Sequence, residues 1–118
     1  MIVGIDLGTT NSLIGAMDAG FPILFADEEG RRLMPSAVAF DETAEACAPT
    51  VGWPALTRPD AVTSIKRDIG STKRRHGRTP EEISALILQR LKEIAERASG
   101  LEVREVVIEV DASLAQTS

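Results

Sequence analysis

Apolar positions in the N-terminal third of the chain come in short runs broken by polar turns, whereas one later stretch spaces them as a helix does. The runs predict strands at 2–6, 12–18 and 22–26, separated by a turn after Asp6 and by Asp18-Ala19-Gly20. Connections this short make neighbouring strands antiparallel, so the three are expected to form a meander. After the polar turn Asp27-Glu28-Glu29-Gly30-Arg31-Arg32, the run Leu33-Met34-Pro35-Ser36-Ala37-Val38-Ala39-Phe40 reads as a further strand, with Pro35 favouring an edge or the start of the strand. A loop through Pro49 follows. Gly52-Trp53-Pro54-Ala55-Leu56 opens a short helix, and another turn or two is expected within 62–69. Trp53 reads as a packing residue rather than a recognition aromatic.

The strongest local signal is a helix over 80–99. Thr79 suits its N-cap, Pro80 its first position and Glu82 the capping box, while Gly100 stops it. Ile83, Leu86, Ile87, Leu91, Ile94, Ala95 and Ala98 fall on one face, which is expected to lie on the sheet. Burying the large aliphatic side chains among them contributes about 1.5–3 kcal/mol each before entropy is deducted. Leu88 falls outside the stripe and is expected to face a partner or a missing segment. A strand at 103–110 follows, and its continuous run Val106-Val107-Ile108 predicts cover on both faces. Crossing back through a helix implies parallel pairing with an earlier strand.

Composition narrows this to one modest domain: 118 residues, 43% hydrophobic, with a formal charge of −5. The net charge argues against general nucleic-acid binding, although Lys66, Arg67, Lys73, Arg74, Arg75 and Arg78 stand against only Asp68 within 66–78. With so few aromatics, the run Lys73-Arg74-Arg75-His76-Gly77-Arg78 reads as a solvated loop rather than a nucleic-acid patch. Cys47 is the sole cysteine, so an intrachain disulfide and a cysteine zinc cluster are both excluded, which fits a reducing cytosol. The chain opens on strand residues without a basic leader or a long apolar segment. A soluble, cytoplasmic protein with no membrane span is therefore expected.

Candidate chemistry sits at the first turn, Gly4-Ile5-Asp6-Leu7-Gly8-Thr9-Thr10-Asn11-Ser12. Asp6 comes where the strand leaves the core, Gly8 lets the main chain turn closely, and Thr9 and Thr10 add hydroxyls to the backbone donors. Such donors suit phosphate oxygens, at roughly 1.5–3 kcal/mol for each charge-assisted hydrogen bond. Asp6 would then hold a divalent cation, directly or through water. Taken alone, the turn is equally compatible with a plain hairpin in which Asp6 caps a neighbouring amide. Its glycine spacing is neither a dinucleotide fingerprint nor a P-loop, because no Gly-Lys-Ser/Thr follows.

The ordered set of motifs resembles the seventy-kilodalton heat-shock chaperones, the DnaK-type family. The first turn carries the match together with Pro35-Ser36-Ala37-Val38-Ala39-Phe40, Ile65-Lys66-Arg67-Asp68-Ile69-Gly70 and Thr79-Pro80-Glu81-Glu82-Ile83-Ser84-Ala85. Val107-Ile108-Glu109-Val110-Asp111-Ala112 looks like a degraded form of the family's strand ending in Val-Pro-Ala. The resemblance implies an incomplete α/β sheet of the ribonuclease-H-like, actin-type ATPase class, with 1–118 as an N-terminal lobe fragment of the nucleotide-binding domain. It implies ATP or ADP and Mg2+ as cofactors, Asp6 on the metal side, and Gly8, Thr9, Thr10 and Asn11 in the first phosphate loop. Lys66 matches the active-site lysine, and an ammonium there can stabilise phosphoryl charge or position the attacking water. Arg67 is similar to an adjacent basic residue of structural role.

The sequence also departs from the family. Asp111 replaces a proline that couples nucleotide state to peptide binding, Leu114 stands where an aromatic is usual, and the stretch between Gly70 and Pro80 is shortened. The second phosphate loop, the adenosine segments and the peptide-binding domain lie outside the match, so the chain alone is expected to be inactive. Expected partners are the remainder of the ATPase domain, a peptide-binding domain, co-chaperones, and a second copy through an exposed sheet edge or helix face. The competing reading is a non-catalytic interaction module, a degenerate or truncated paralogue. Sugar kinases share the Gly-Ile-Asp-x-Gly-Thr-Thr loop but not the Lys66 and Pro80 motifs together, and bacterial actin homologues match more weakly.

Overall fold

The computed structural model describes residues 1–40 and 49–109. Cys47, Val110, Asp111 and Leu114 lie outside the described residues. Strand β1 (Ile2–Leu7) and β2 (Asn11–Asp18) pair antiparallel from Gly4↔Gly15 to Leu7↔Ser12, and β3 (Phe21–Leu24) pairs with β2 in the same sense. The expected meander is present, with its third strand beginning one residue early because the turn is only Ala19-Gly20, both at positive φ. Alternation along β1 sends Val3, Ile5 and Leu7 into the core and leaves Ile2, Gly4 and Asp6 on the other face.

The stretch 33–40 is not one strand. It divides into β4 (Met34–Pro35), which pairs with β2, and β5 (Ala37–Ala39), which joins a second sheet with β6 (Thr50–Val51) and β7 (Val62–Thr63) in the order β6-β5-β7. The division falls at Ser36, next to a proline that has no N–H for the ladder. A 3-10 helix at Trp53–Thr57 stands where a short helix was expected, and another at Ile65–Asp68 follows β7. Trp53 is not a core residue: its indole N–H donates to the Leu33 carbonyl at 3.1 Å and Arg31 stacks 4.9 Å from its ring. The indole thus fastens the 27–33 turn from outside.

Helix α1 (Pro80–Ser99) has the predicted ends. The Thr79 hydroxyl accepts from the Glu82 amide at 3.1 Å, the Glu82 carboxylate accepts from the Thr79 amide at 3.3 Å, and Gly100 adopts φ 73° at the C-cap. Ile83, Ile87, Leu91, Ile94 and Ala95 are buried against Val3, Ile5, Ile14, Val38 and Ile65, so both sheets share one core. The stripe ends earlier than expected, since Ala98 is exposed. Leu88, expected to face away, packs partly buried against the same core.

Strand β8 (Glu105–Glu109) runs parallel to β1, from Ile2↔Glu105 to Asp6↔Glu109, which completes the sheet order β3-β2-β1-β8. Parallel pairing through a crossover helix is as expected. Cover on both faces is not: Val106, Val107 and Ile108 are 43%, 60% and 45% exposed. The helix axis lies over β1 and β2 and leaves the end strand bare, so an apolar run that reads as interior is surface in this chain.

Candidate functional site

At the first turn, Gly8 is required by close approach rather than by backbone handedness. A Cβ on Gly8 would lie 2.1 Å from the Asn11 carbonyl oxygen, inside any permitted contact. Two serines hold the turn closed. Ser36 donates its hydroxyl proton to the Gly8 carbonyl at 2.8 Å and its amide donates to the Thr10 carbonyl at 2.9 Å. The Ser12 and Ser36 oxygens are 2.7 Å apart, and because Ser36 has spent its only proton on Gly8, Ser12 is the donor between them. Both hydroxyls are buried, at 1% and 2% exposure, so each bond there is costly to lose.

Neither serine was singled out by residue type. The available signal was a hydroxyl at a core-facing position of β2 and another directly after Pro35 inside an apolar run, both polar side chains where the alternation calls for apolar ones.

Thr9, Thr10 and Asn11 open onto a recess of about 260 Å³ that Ser36, Trp53, Leu56, Thr63 and Ser64 also line. Four hydroxyl-bearing residues from two separate segments, Thr9 and Thr10 with Thr63 and Ser64, therefore line one space. Ser64 is in the left-handed region, φ 56° and ψ 30°, a conformation that costs a non-glycine residue about 1–3 kcal/mol. That bend starts the 3-10 helix that carries Lys66. Ile65 drops into the core at 1% exposure, while Lys66 stays half-buried and makes no ion pair among the described residues. Beyond Lys66, Arg75 reaches Asp68 at 3.5 Å, and the Gly70 amide donates to Glu81 at 3.1 Å. The Gly70 hydrogen bond holds the Glu81 carboxyl below the usual carboxylate range.

Asp6 opens on a different recess, of about 460 Å³, on the uncovered face of the sheet. Gly4 and Gly15 sit side by side at its floor, and Ile2, Leu13, Met17, Pro22 and Leu24 wall it. Glu109, opposite Asp6 in the parallel ladder, shares the recess, an acidic neighbour that the sequence patterns did not single out. The structure thus gathers Thr9, Thr10 and Asn11 with the segment leading to Lys66, and sets Asp6 around the strand end from them. Oxygen donors alone suit a hard divalent cation, and a single carboxylate with waters and phosphate oxygens is how magnesium is commonly held. Among the described residues no group of three or more histidine, cysteine, aspartate or glutamate side chains forms a cluster of metal ligands.

The basic stretch expected to be a solvated loop is a tight turn. Arg75 and Arg78 exchange backbone hydrogen bonds at 3.0 and 2.9 Å around His76 and Gly77, whose φ values of 52° and 74° are those of a type I′ turn. The Arg78 guanidinium lies 4.0 Å from the centre of the buried Phe40 ring, and His76 packs on the same ring at 5.3 Å. Lys73 and Arg74 remain exposed. Among the described residues no helix is long and apolar enough to cross a membrane.

Comparison with known proteins agrees with this architecture. The family described as Hsp70 protein matches residues 2–80, from the first strand to the first residue of α1. The chain is 41% identical over 116 residues to the chaperone protein DnaK of Mycoplasmopsis agalactiae, an alignment that covers 95% of this chain. It spans 19% of the length of that relative. The turn held by Ser36, the Lys66 segment and the start of α1 all fall within the matched region, and the chain belongs to the Hsp70 family of chaperones.

Proposed function

We propose that this chain forms one wall of an ATP site of the actin-type ATPase class, the N-terminal part of an Hsp70 nucleotide-binding domain. Gly8, Thr9, Thr10 and Asn11 cradle phosphate oxygens, Lys66 supplies the cation that faces them, and Asp6 holds Mg2+ through water or directly. The magnesium ion would neutralise phosphate charge when bound. The observation that carries this reading is the turn itself: Gly8 has no room for a side chain, the buried Ser36 ties down the Gly8 and Thr10 carbonyls with Ser12 behind it, and Thr9, Thr10 and Asn11 line the recess. The family's nucleotide chemistry gives those donors a ligand. The mixed sheet is compatible with the same domain, and the shortened stretch before Pro80 is where this chain departs from it.

Phosphoryl transfer depends on positioning from both sides of a cleft. This chain supplies one side, so it does not hydrolyse ATP at an enzymatic rate by itself, and it does not grip unfolded peptide. In a longer protein of the relatives' length, the remainder of the ATPase domain covers the open sheet face, a peptide-binding domain follows, and co-chaperones act on the whole in the cytoplasm. Titration calorimetry with magnesium and ATP tests the site. Binding heat that is lost on Asp6→Asn and Thr9→Ala supports it, and absence of any heat in the wild-type chain reduces the turn to a structural element. Magnesium-dependent phosphate release abolished by Lys66→Ala would overturn the inactivity.

A second reading, a non-catalytic interaction module, is favoured by one observation: β8 and the sheet face beside it present Ile2, Met17, Val106, Val107 and Ile108 to solvent. It predicts a stable complex that forms equally well without nucleotide.

A further inference from the structure

We propose that Asp68 and Arg75 are positioning residues for Lys66, and that the short basic turn at 75–78 is the brace through which they act. The inference rests on the reading of Lys66 as the phosphate-facing cation. A four-residue 3-10 helix has poor hydrogen-bond geometry and little stability of its own, so the direction of Lys66 depends on what restrains the ends of Ile65–Asp68. The N-terminal end is fixed by the left-handed bend at Ser64 and by the buried Ile65 side chain. Its other end has no core anchor, since Ile69 is 44% exposed.

There Asp68 meets the Arg75 guanidinium at 3.5 Å, with the two side chains 19% and 38% exposed. Arg75 is rigidly presented. Its backbone closes the type I′ turn with Arg78, and Arg78 stacks on Phe40, itself 3% exposed and part of the core. Among the described residues the buried Nε–H of Arg75 has no hydrogen-bond partner, and Asp68 is the carboxylate that pairs with this cation. A continuous mechanical link therefore runs from Phe40 through Arg78 and Arg75 to Asp68, two residues from Lys66. Glu81, accepting from the Gly70 amide, fixes the chain just beyond. Neutralising either member of the pair leaves Lys66 present and charged but free to sample other directions.

The test uses the 118-residue chain with magnesium and an acyl-phosphate derivative of ATP, which acylates lysine amines lying beside the bound phosphates; acylation at Lys66, Lys73 and Lys92 is read by mass spectrometry. In the wild-type chain Lys66 is acylated in preference to the other two, and excess ATP protects it. Arg75→Gln and Asp68→Asn each lower Lys66 acylation several-fold while Lys73 and Lys92 are unchanged, and amide hydrogen exchange rises at Arg67 and Ile69 but not within α1. The exchanged pair, Asp68→Arg with Arg75→Asp, restores Lys66 acylation, which a merely unfolded variant does not do. Unchanged Lys66 acylation in both single variants overturns the positioning role and leaves the nucleotide site standing. Wild-type Lys66 acylated no more than Lys73 overturns both readings together.

Discussion

Ser36 is the residue on which the first turn depends, because a single hydroxyl and amide bind three other groups: the Gly8 carbonyl, the Thr10 carbonyl and the Ser12 hydroxyl. Ser36→Ala keeps the volume nearly constant but strands the Ser12 proton and the Gly8 carbonyl in a buried site. The expected cost is about 1–3 kcal/mol, measured as a lowered denaturant midpoint at unchanged slope. Nucleotide heat, where the wild type shows it, falls with it. Gly8→Ala fails by a different route. Its added carbon meets backbone, the Asn11 carbonyl at 2.1 Å, which has no rotamer by which to move aside. The turn must open, at a cost of about 1–3 kcal/mol or more, and a structure of the variant should show the carbonyl of Asn11 displaced. Neither effect arises from contact with a ligand, so both are visible in the chain alone.

Between elements, Glu28 ties the turn after β3 to α1. Its carboxylate accepts from Arg90 at 2.9 Å and also from Arg97, two side chains one heptad apart on the same helix face. The Arg90 hydrogen bond, then the backbone amide of Glu28 and the Arg97 hydrogen bond, lower its pKa to about 2 from 4.5. A depressed carboxylate pKa means that the unfolded chain takes up the proton first. The contribution is therefore complete above about pH 4.5 and is lost as pH falls towards 2. Wild type and Glu28→Gln should converge in stability across that window, with their difference greatest at neutral pH, and salt should shrink it because the group is at the surface. At the start of the same helix, Thr79→Ala removes the cap from the Glu82 amide and should cost about 1 kcal/mol by thermal unfolding. The ends of α1 were legible because caps are local chemistry, written in four adjacent residues. The division of 33–40 at Ser36 was not legible, since the partners that draw Ser36 away, Gly8, Thr10 and Ser12, lie far back along the chain. The candidate site divides in the same way: Gly8, Thr9 and Thr10 could be named from a contiguous motif, whereas Ser64, Glu109 and the Asp68–Arg75 pair become visible only when strands and turns are brought side by side.

At the scale of the whole molecule, the described elements cover the sheet on one side only. Helix α1 buries the face that carries Val3, Ile5 and Ile14, while the opposite face keeps Ile2, Met17 and Val107 at 59%, 67% and 60% exposure around the recess floored by Gly4 and Gly15. Among the described strands β8 ends the sheet order, so no described strand pairs with its outer edge. Natural edges of this kind are usually shielded by charge, and here Glu105 and Glu109 bracket the apolar triplet without interrupting it. The chain should therefore associate with itself as its concentration rises. Sedimentation velocity should show a concentration-dependent shift above the monomer, and far-UV circular dichroism should show no loss of helix as it occurs. Val107→Lys places a cation in the middle of the edge on the open face, where it meets no core residue. It should reduce association while leaving the unfolding midpoint within about 0.5 kcal/mol of wild type, as surface substitutions do. Ile5→Lys is the contrasting control, because Ile5 is 2% exposed on the covered face and the same charge there should unfold the domain. If Val107→Lys destabilises the chain as Ile5→Lys does, β8 is covered in solution by some part of the molecule itself, and the open face is not where a partner or the remainder of a longer protein would dock.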